Sequence, residues 1–306
     1  MDLYNIPNDD GVKWRKNQFI HMMEGDYIDG ATDYCLLIPF GNNLTADEKA
    51  WLCYLYGLSY SCTTAIRIFS EFDNVLTINP RLLKLYWKEH KDTLWFNPDK
   101  KYIKNNNQVI PAIQSFYKLC REYKSPYSYL QKHSSSFDAL YNEIIKNWRF
   151  FGPHGAFLFF DAMYGVLPEL YTDPETLNWK HMSKPVIEGM LHFRYEDDCI
   201  QTKTYNFENF NKSLNQIKRR TKKPVIQIES VLCAFRKLFK GTRYYGYYAD
   251  RMLEECLSSE PYLTGCNIWG FRADTIPLHL RGEDQGWNGI RKERLNLWIS
   301  KGVMYE

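Results

Sequence analysis

Gly152-Pro-His-Gly-Ala-Phe-Leu-Phe-Phe-Asp-Ala-Met-Tyr-Gly-Val166 is apolar on nearly every side of the helix it spells. A helix without a polar face has to be buried. The stretch therefore predicts a central helix that other helices pack around, and the flanking sequence supplies them. Thr45-Ala-Asp-Glu48 is a capping box, in which hydroxyl and carboxylate satisfy orphan amides at a helix start. Trp51, Leu52, Leu55 and Tyr56 follow at helical spacing, with a stop expected near Gly57. A second helix is predicted over Cys62 to Phe72, with Ala65, Ile66, Phe69 and Phe72 inward. Asn79-Pro80 combines a cap with a first-turn proline and opens another. Pro111 to Lys124 and Ser136 to Trp148 read as amphipathic helices.

Farther out the pattern continues. Asp9 to Gly25 reads as a helix with Trp14, Phe19 and Met22 inward, and Asp99 to Asn107 as a polar surface loop. The signal from Thr172 to Thr204 is weak and predicts loops with a short helix near Val186 to Phe193. Asn209 to Lys222 is a basic, exposed helix. Pro224 to Phe239 and Tyr244 to Ser258 are the most regular late helices. Asp284 to Ser300 closes the chain with Ile290, Leu295, Leu297 and Trp298. Strict alternation of apolar and polar residues is scarce, so no sheet is predicted. The expected fold is all-α, a single multi-helix domain over residues 1–306 with a loop-rich region at 172–207.

Composition narrows the class. Hydrophobic residues make up 44% and charged residues 25%, the balance of a globular chain. Aromatics reach 16%, which places many rings in the core and leaves some for a base-binding surface. The net charge of +3 is too small for bulk nucleic-acid binding, so any DNA contact falls to a local patch. None of the eight cysteines forms a C-x-x-C pair, which predicts reduced thiols in a cytoplasmic setting. No H-E-x-x-H motif calls for zinc, and no G-x-x-x-x-G-K-[ST] loop calls for a P-loop kinase. Met1 to Asp10 carries no signal-peptide apolar stretch, and no apolar run has the length of a membrane span.

Three islands carry a further pattern. The first is Trp51-Leu-Cys-Tyr-Leu-Tyr-Gly57, followed by Thr63-Thr-Ala65 and Ser70-Glu-Phe72. The second is Trp148-Arg-Phe-Phe-Gly-Pro-His-Gly-Ala-Phe157. The third is Ile228-Glu-Ser-Val-Leu-Cys-Ala-Phe-Arg-Lys237, followed by Arg243-Tyr-Tyr-Gly-Tyr-Tyr-Ala-Asp-Arg251. Together they resemble the amino acid:DNA transferases of bacteriophages. That family is related to the α-glutamyl/putrescinyl thymine pyrophosphorylases and to the helical domain of 5-hydroxymethyluracil DNA kinases. The islands are spread from about residue 45 to residue 260, and the third is the most specific. The second is the least specific, because a glycine turn before an apolar helix occurs in many helical proteins, helix-hairpin-helix glycosylases among them; a distant likeness to that glycosylase fold is a further expectation.

The resemblance implies an enzyme that acts on DNA carrying modified uracil. An amino acid or a polyamine would displace pyrophosphate from 5-pyrophosphoryloxymethyl-deoxyuridine. Such chemistry needs positive charge on the departing phosphates. It needs a base for the protonated amine and a flat wall for the pyrimidine. The third island offers these parts. Glu229, Cys233 and Arg236 share one stripe of a helix, with Lys237 adjacent. A turn of about four residues then leads to the next helix, antiparallel to the first. Glu229 or Asp250 is the candidate base, and Arg251 is a candidate catalytic residue that handles phosphate, either of the leaving group or of the DNA backbone. Arg236, Lys237 and Arg243 are candidate phosphate contacts, and Tyr247 and Tyr248 candidate ring contacts. Tyr60 and Thr63 fall between two helices, where a helix N-terminus accepts phosphate.

Each assignment has a plainer counterpart. Arg251 and Glu255 are spaced as a surface i,i+4 pair, and Glu229 is spaced to pair with Arg236. Asp250 and Glu254 can share Mg²⁺, or simply diverge into solvent. Lys218, Arg219, Arg220, Lys222 and Lys223 form the most basic run, suited either to a helix C-terminus or to a DNA backbone. The competing reading of the whole chain is a helical DNA-binding or glycosylase-like module without transferase chemistry.

Overall fold

A computed structural model describes residues 8–23, 30–31, 34–97, 108–244 and 246–276, with side chains from Arg15 onward. The fold is all-α. Among the described residues there are fifteen α-helices, joined in places by short 3-10 turns, and no strand. In chain order they are α1 (Asn8–Met22), α2 (Leu37–Gly41), α3 (Ala46–Ser59), α4 (Cys62–Glu71), α5 (Pro80–His90), α6 (Val109–Tyr123), α7 (Pro126–His133) and α8 (Phe137–Asn147). Then come α9 (Pro153–Val166), α10 (Lys184–Arg194), α11 (Asp198–Thr202), α12 (Phe207–Thr221), α13 (Val225–Phe239), α14 (Tyr247–Ser259) and α15 (Ile268–Thr275). The expected Asp284–Ser300 helix, the Asp99–Asn107 loop and the inward Trp14 side chain lie outside the described residues.

Residues 1–306 were expected to form one domain. The chain divides into two compact units, each assembled from separated segments. One contains residues 1–32, 175–253 and 276–306, and the other 33–174 and 254–275. One boundary falls inside α14, after Leu253. A division without any linker leaves no trace in composition.

In the unit of residues 33–174 and 254–275, α9 is buried along most of its length, as its uniform apolarity requires. It packs most extensively on α3. Gly57 makes that approach close, since a Cβ there would meet Phe151 Cε1 and Phe159 Cβ at 3.0 Å. The helix was expected to stop near this glycine. It runs on to Ser59 and ends at Tyr60, whose left-handed backbone (φ 54°) caps the last turn. Gly57 serves helix packing, and the terminating role passes to a tyrosine.

Elsewhere the local signals are realised. Thr45 and Glu48 form both halves of the capping box, with Thr45 N donating to Glu48 Oε2 at 2.7 Å. The Thr45 bonds hold the Glu48 carboxyl below its ordinary range. Asn79 Oδ1 accepts from Arg81 N at 2.9 Å. Helix α7 lacked a predicted counterpart, although Ser125 caps it with Pro126 in the first turn. The aromatic surplus is largely core. Tyr54 stacks on Phe116 at 3.9 Å between centroids, and Trp148 meets Phe159 edge-on at 4.9 Å. Trp51 Nε1 donates to Phe72 O, and Trp148 Nε1 to Tyr129 OH, so the buried indoles are satisfied.

In the other unit α10 packs most extensively on α13. Gly189 is the notch, because a Cβ there would lie 2.0 Å from Leu232 O. Helix α1 joins the pair through Phe19, which meets Phe193 and Phe235 edge-on at 5.1 and 5.2 Å. Arg15 is 2% exposed, pairs with Asp197 and stacks over Tyr195 and Phe239 at 4.2 and 4.8 Å. His192 Nδ1 lies 2.6 Å from Asp197 Oδ1. Burial alone would raise the Asp197 carboxyl. The bonds from His192 and Arg15 outweigh it and hold the group below its usual range. Helix α12 turns Phe210, Leu214 and Ile217 inward.

Candidate functional site

The Arg243–Arg251 island folds into a buried cluster. Arg243, Asp250 and Arg251 are 6%, 0% and 4% exposed. Arg243 stands over the rings of Tyr247 and Tyr248, 4.3 and 4.9 Å from their centroids, and donates from Nη1 to Tyr248 OH. Arg251 lies 5.9 and 5.5 Å from the same two centroids. The two guanidiniums therefore share one pair of tyrosine faces, an arrangement favoured by the negative face of each ring. Asp250 accepts the hydroxyl of Tyr244 at Oδ2, so this acid has an internal donor. Among the described residues no group of three or more His, Cys, Asp or Glu is placed to hold a metal ion.

Helix α13 reaches the same neighbourhood through Gly30. A Cβ on that residue would meet Ala234 Cβ at 2.7 Å, Ser230 O at 3.2 Å and Tyr248 Cε2 at 3.5 Å. Its φ of +96° suits glycine. The two halves of the third island thus converge on one backbone crossing. Glu229, adjacent to Ser230, is half-buried. Burial pushes its carboxyl up to about 7, against the smaller opposing effects of Ser230 and of the Lys237 charge. A carboxyl at that value takes or yields a proton near neutral pH.

Arg236 does not pair with Glu229. Its Nε donates to Glu188 of α10, a residue that had no assigned role. Lys240 and Lys184 also approach Glu188, at 3.4 and 3.5 Å. Burial would raise the Glu188 carboxyl, but the Arg236 hydrogen bond and the charges of Arg236 and Lys240 hold it below its ordinary range. One carboxylate facing three cations explains why Arg236 turns toward α10. The only sequence signal for it was the Lys184–Glu188 spacing of four.

Tyr60 and Thr63 belong to the other unit. The α4 N-terminus there does bind an anion, and that anion is the protein's own Glu255. Glu255 Oε1 accepts from Thr63 N at 2.7 Å, Ser61 Oγ at 2.7 Å and Thr63 Oγ1 at 3.1 Å. Ser259 Oγ donates to Thr63 Oγ1 at 2.8 Å. The Thr63 donors assigned to phosphate are thereby engaged inside the fold. The i,i+4 spacing of Arg251 and Glu255 suggested a surface pair, yet both residues are buried and Glu255 is directed to α4. Tyr60 sets its ring edge-on to His154 at 5.4 Å.

The basic run ends α12. Arg219, Arg220 and Lys222 are exposed, Lys218 and Lys223 are half-buried, and Lys222 caps the helix in the left-handed conformation. The cysteines are free thiols, and burial raises those of Cys53, Cys120 and Cys256 well above the usual value, which suits core residues rather than nucleophiles. No described helix is long and apolar enough to cross a membrane. No protein-family model, no curated protein and no solved structure matches the chain.

Proposed function

We propose that the chain is a transferase of hypermodified DNA, replacing the pyrophosphate of 5-pyrophosphoryloxymethyl-deoxyuridine with an amine, either an amino acid or a polyamine. The carrying observation is the cluster of Arg243 and Arg251 on the faces of Tyr247 and Tyr248. A titratable Glu229 stands on the helix that meets Tyr248 at Gly30. In the reaction the amine nitrogen forms a bond to the C5 methylene carbon. The carbon–oxygen bond to pyrophosphate breaks, and the leaving oxygen keeps the electron pair. The amine proton passes to Glu229. Guanidiniums stabilise the charge that gathers on the departing oxygens, and tyrosine rings offer stacking surfaces to a pyrimidine. The exposed Arg219, Arg220 and Lys222 supply contact to the DNA backbone.

The test incubates the protein with DNA carrying pyrophosphorylated 5-hydroxymethyluracil and a panel of amines. Nucleoside mass spectrometry and pyrophosphate release are followed. One amine should appear on the base with one equivalent of pyrophosphate, and Glu229→Gln should slow the reaction by at least about a hundredfold. A folded protein that yields neither adduct nor pyrophosphate with any amine ends the proposal. Abasic sites in place of adducts would point to glycosylase chemistry instead.

A further inference from the structure

A cavity of about 250 Å³ lies beside α4, α5 and the turn after α14, within the unit of residues 33–174 and 254–275. Arg67, Glu71, Tyr86, His90 and Tyr262 are among its lining residues. None of them takes part in the proposed transfer chemistry, so binding here and amine transfer can fail separately.

Arg67 is 6% exposed. Its Nη1 donates to Thr93 O, its Nη2 to Thr93 Oγ1 at 3.0 Å, and the guanidinium stands 4.3 Å from the centroid of Tyr262. Burial weakens its hold on the proton, and the neighbouring Tyr86 and Tyr262 act in the opposite sense. All of these partners are neutral. Among the described residues no carboxylate forms an ion pair with Arg67. A charge withdrawn from water normally has a counter-charge, because desolvation otherwise costs several kcal/mol. A guanidinium carries about five N–H donors; Thr93 accounts for two of them and the Tyr86 hydroxyl accepts a further bond, which leaves donors over for a ligand. A buried cation without a counter-ion at the wall of a cavity is the arrangement an anionic ligand completes.

The charge of that anion is limited by Glu71, an exposed residue that also lines the cavity. Its carboxylate disfavours a second negative charge on the ligand and tolerates or attracts an ammonium. A planar carboxylate matches the fork of a guanidinium. Tyr86 stays protonated, since burial raises it more than Arg67 lowers it, and its hydroxyl remains a donor. We infer that the cavity binds a small monocarboxylate, with Arg67 as the anion contact and Glu71 as the group that rejects dianions.

The full chain is titrated by calorimetry with propionate, with its 2-amino derivative alanine, and with inorganic phosphate. Saturable binding of propionate, alanine or both is expected, with phosphate weaker by at least about tenfold. Equal affinities identify a plain carboxylate site. A preference for alanine that Glu71→Gln removes identifies a zwitterion site, and either result supports the inference. Arg67→Gln should weaken the carboxylate by at least about tenfold. Thr264→Trp, placed on the exposed rim, should block the cavity without touching the buried guanidinium. It serves equally if Arg67→Gln does not fold. Absence of saturable carboxylate binding, phosphate as the tightest ligand, or affinity unchanged in the variants would overturn the assignment.

Discussion

Arg236 in α13 and Arg67 in α4 are both guanidiniums held largely inside protein, and their surroundings are opposite in kind. Arg236 has Glu188, a carboxylate whose side chain is 2% exposed and which also draws Lys184 and Lys240. Arg67 has two oxygens of Thr93, the hydroxyl of Tyr86 and the ring of Tyr262, all neutral. Glu229 is closer to Arg67 in kind, a half-buried acid whose carboxyl is raised because burial exceeds the help of Ser230 and Lys237. A charge matched inside the fold holds helices together. A charge left unmatched costs stability, and that cost makes sense where a ligand or a proton transfer uses it.

The largest test of this contrast is Glu188→Gln. Removing the shared carboxylate charge leaves Arg236 and two lysines facing a neutral amide. Urea unfolding should show a loss of about 3 kcal/mol, the range for breaking a buried pair. A loss below about 1 kcal/mol would place the cluster with solvent-screened surface pairs.

Next is Glu229→Gln, whose effect depends on pH. The folded carboxyl at about 7 lies above its ordinary 4.5. The folded protein therefore binds this proton more tightly than the unfolded chain does. The resulting stability is fully present below about pH 4.5 and lost as pH rises through 7. The variant should match the wild type near pH 4 and exceed it by about 2 kcal/mol at pH 8, a value discounted for partial exposure. Melting temperatures at both pH values check it, and a difference that does not vary with pH would contradict the raised carboxyl.

Arg67→Met should change stability by no more than about 1 kcal/mol in the absence of ligand. Lost bonds to Thr93 are offset by relief of an unpaired buried charge. A loss as large as that of Glu188→Gln would erase the contrast between the two arginines. The smallest effect on stability belongs to Arg219→Gln, Arg220→Gln and Lys222→Gln together, within about 0.5 kcal/mol each. Their expected effect is on DNA, where the salt slope of binding should fall by roughly 1 for every phosphate no longer neutralised. An unchanged slope separates the end of α12 from the DNA backbone.

What the sequence determined by itself was local. The Thr45–Glu48 box, the Asn79-Pro80 start, the uniformly apolar Gly152–Val166 stretch and the amphipathic Pro111–Lys124 segment all depend on residues three or four apart, or on one segment's own apolarity. The Arg243–Arg251 cluster was legible for the same reason, since its members lie within nine positions of one another. Tertiary structure alone decided that Arg236 meets Glu188 across 48 residues, that Thr63 meets Glu255 across 192, and that Arg67 pairs with no acid among the described residues. It alone turned Arg251 and Glu255 from a spaced surface pair into buried groups, and it alone divided the chain within α14. Helical periodicity fixes which side of its own helix a side chain occupies. Which helix that side then faces is settled by packing, through close approaches such as Gly189 on Leu232, where the backbones come near enough to decide which charges are matched.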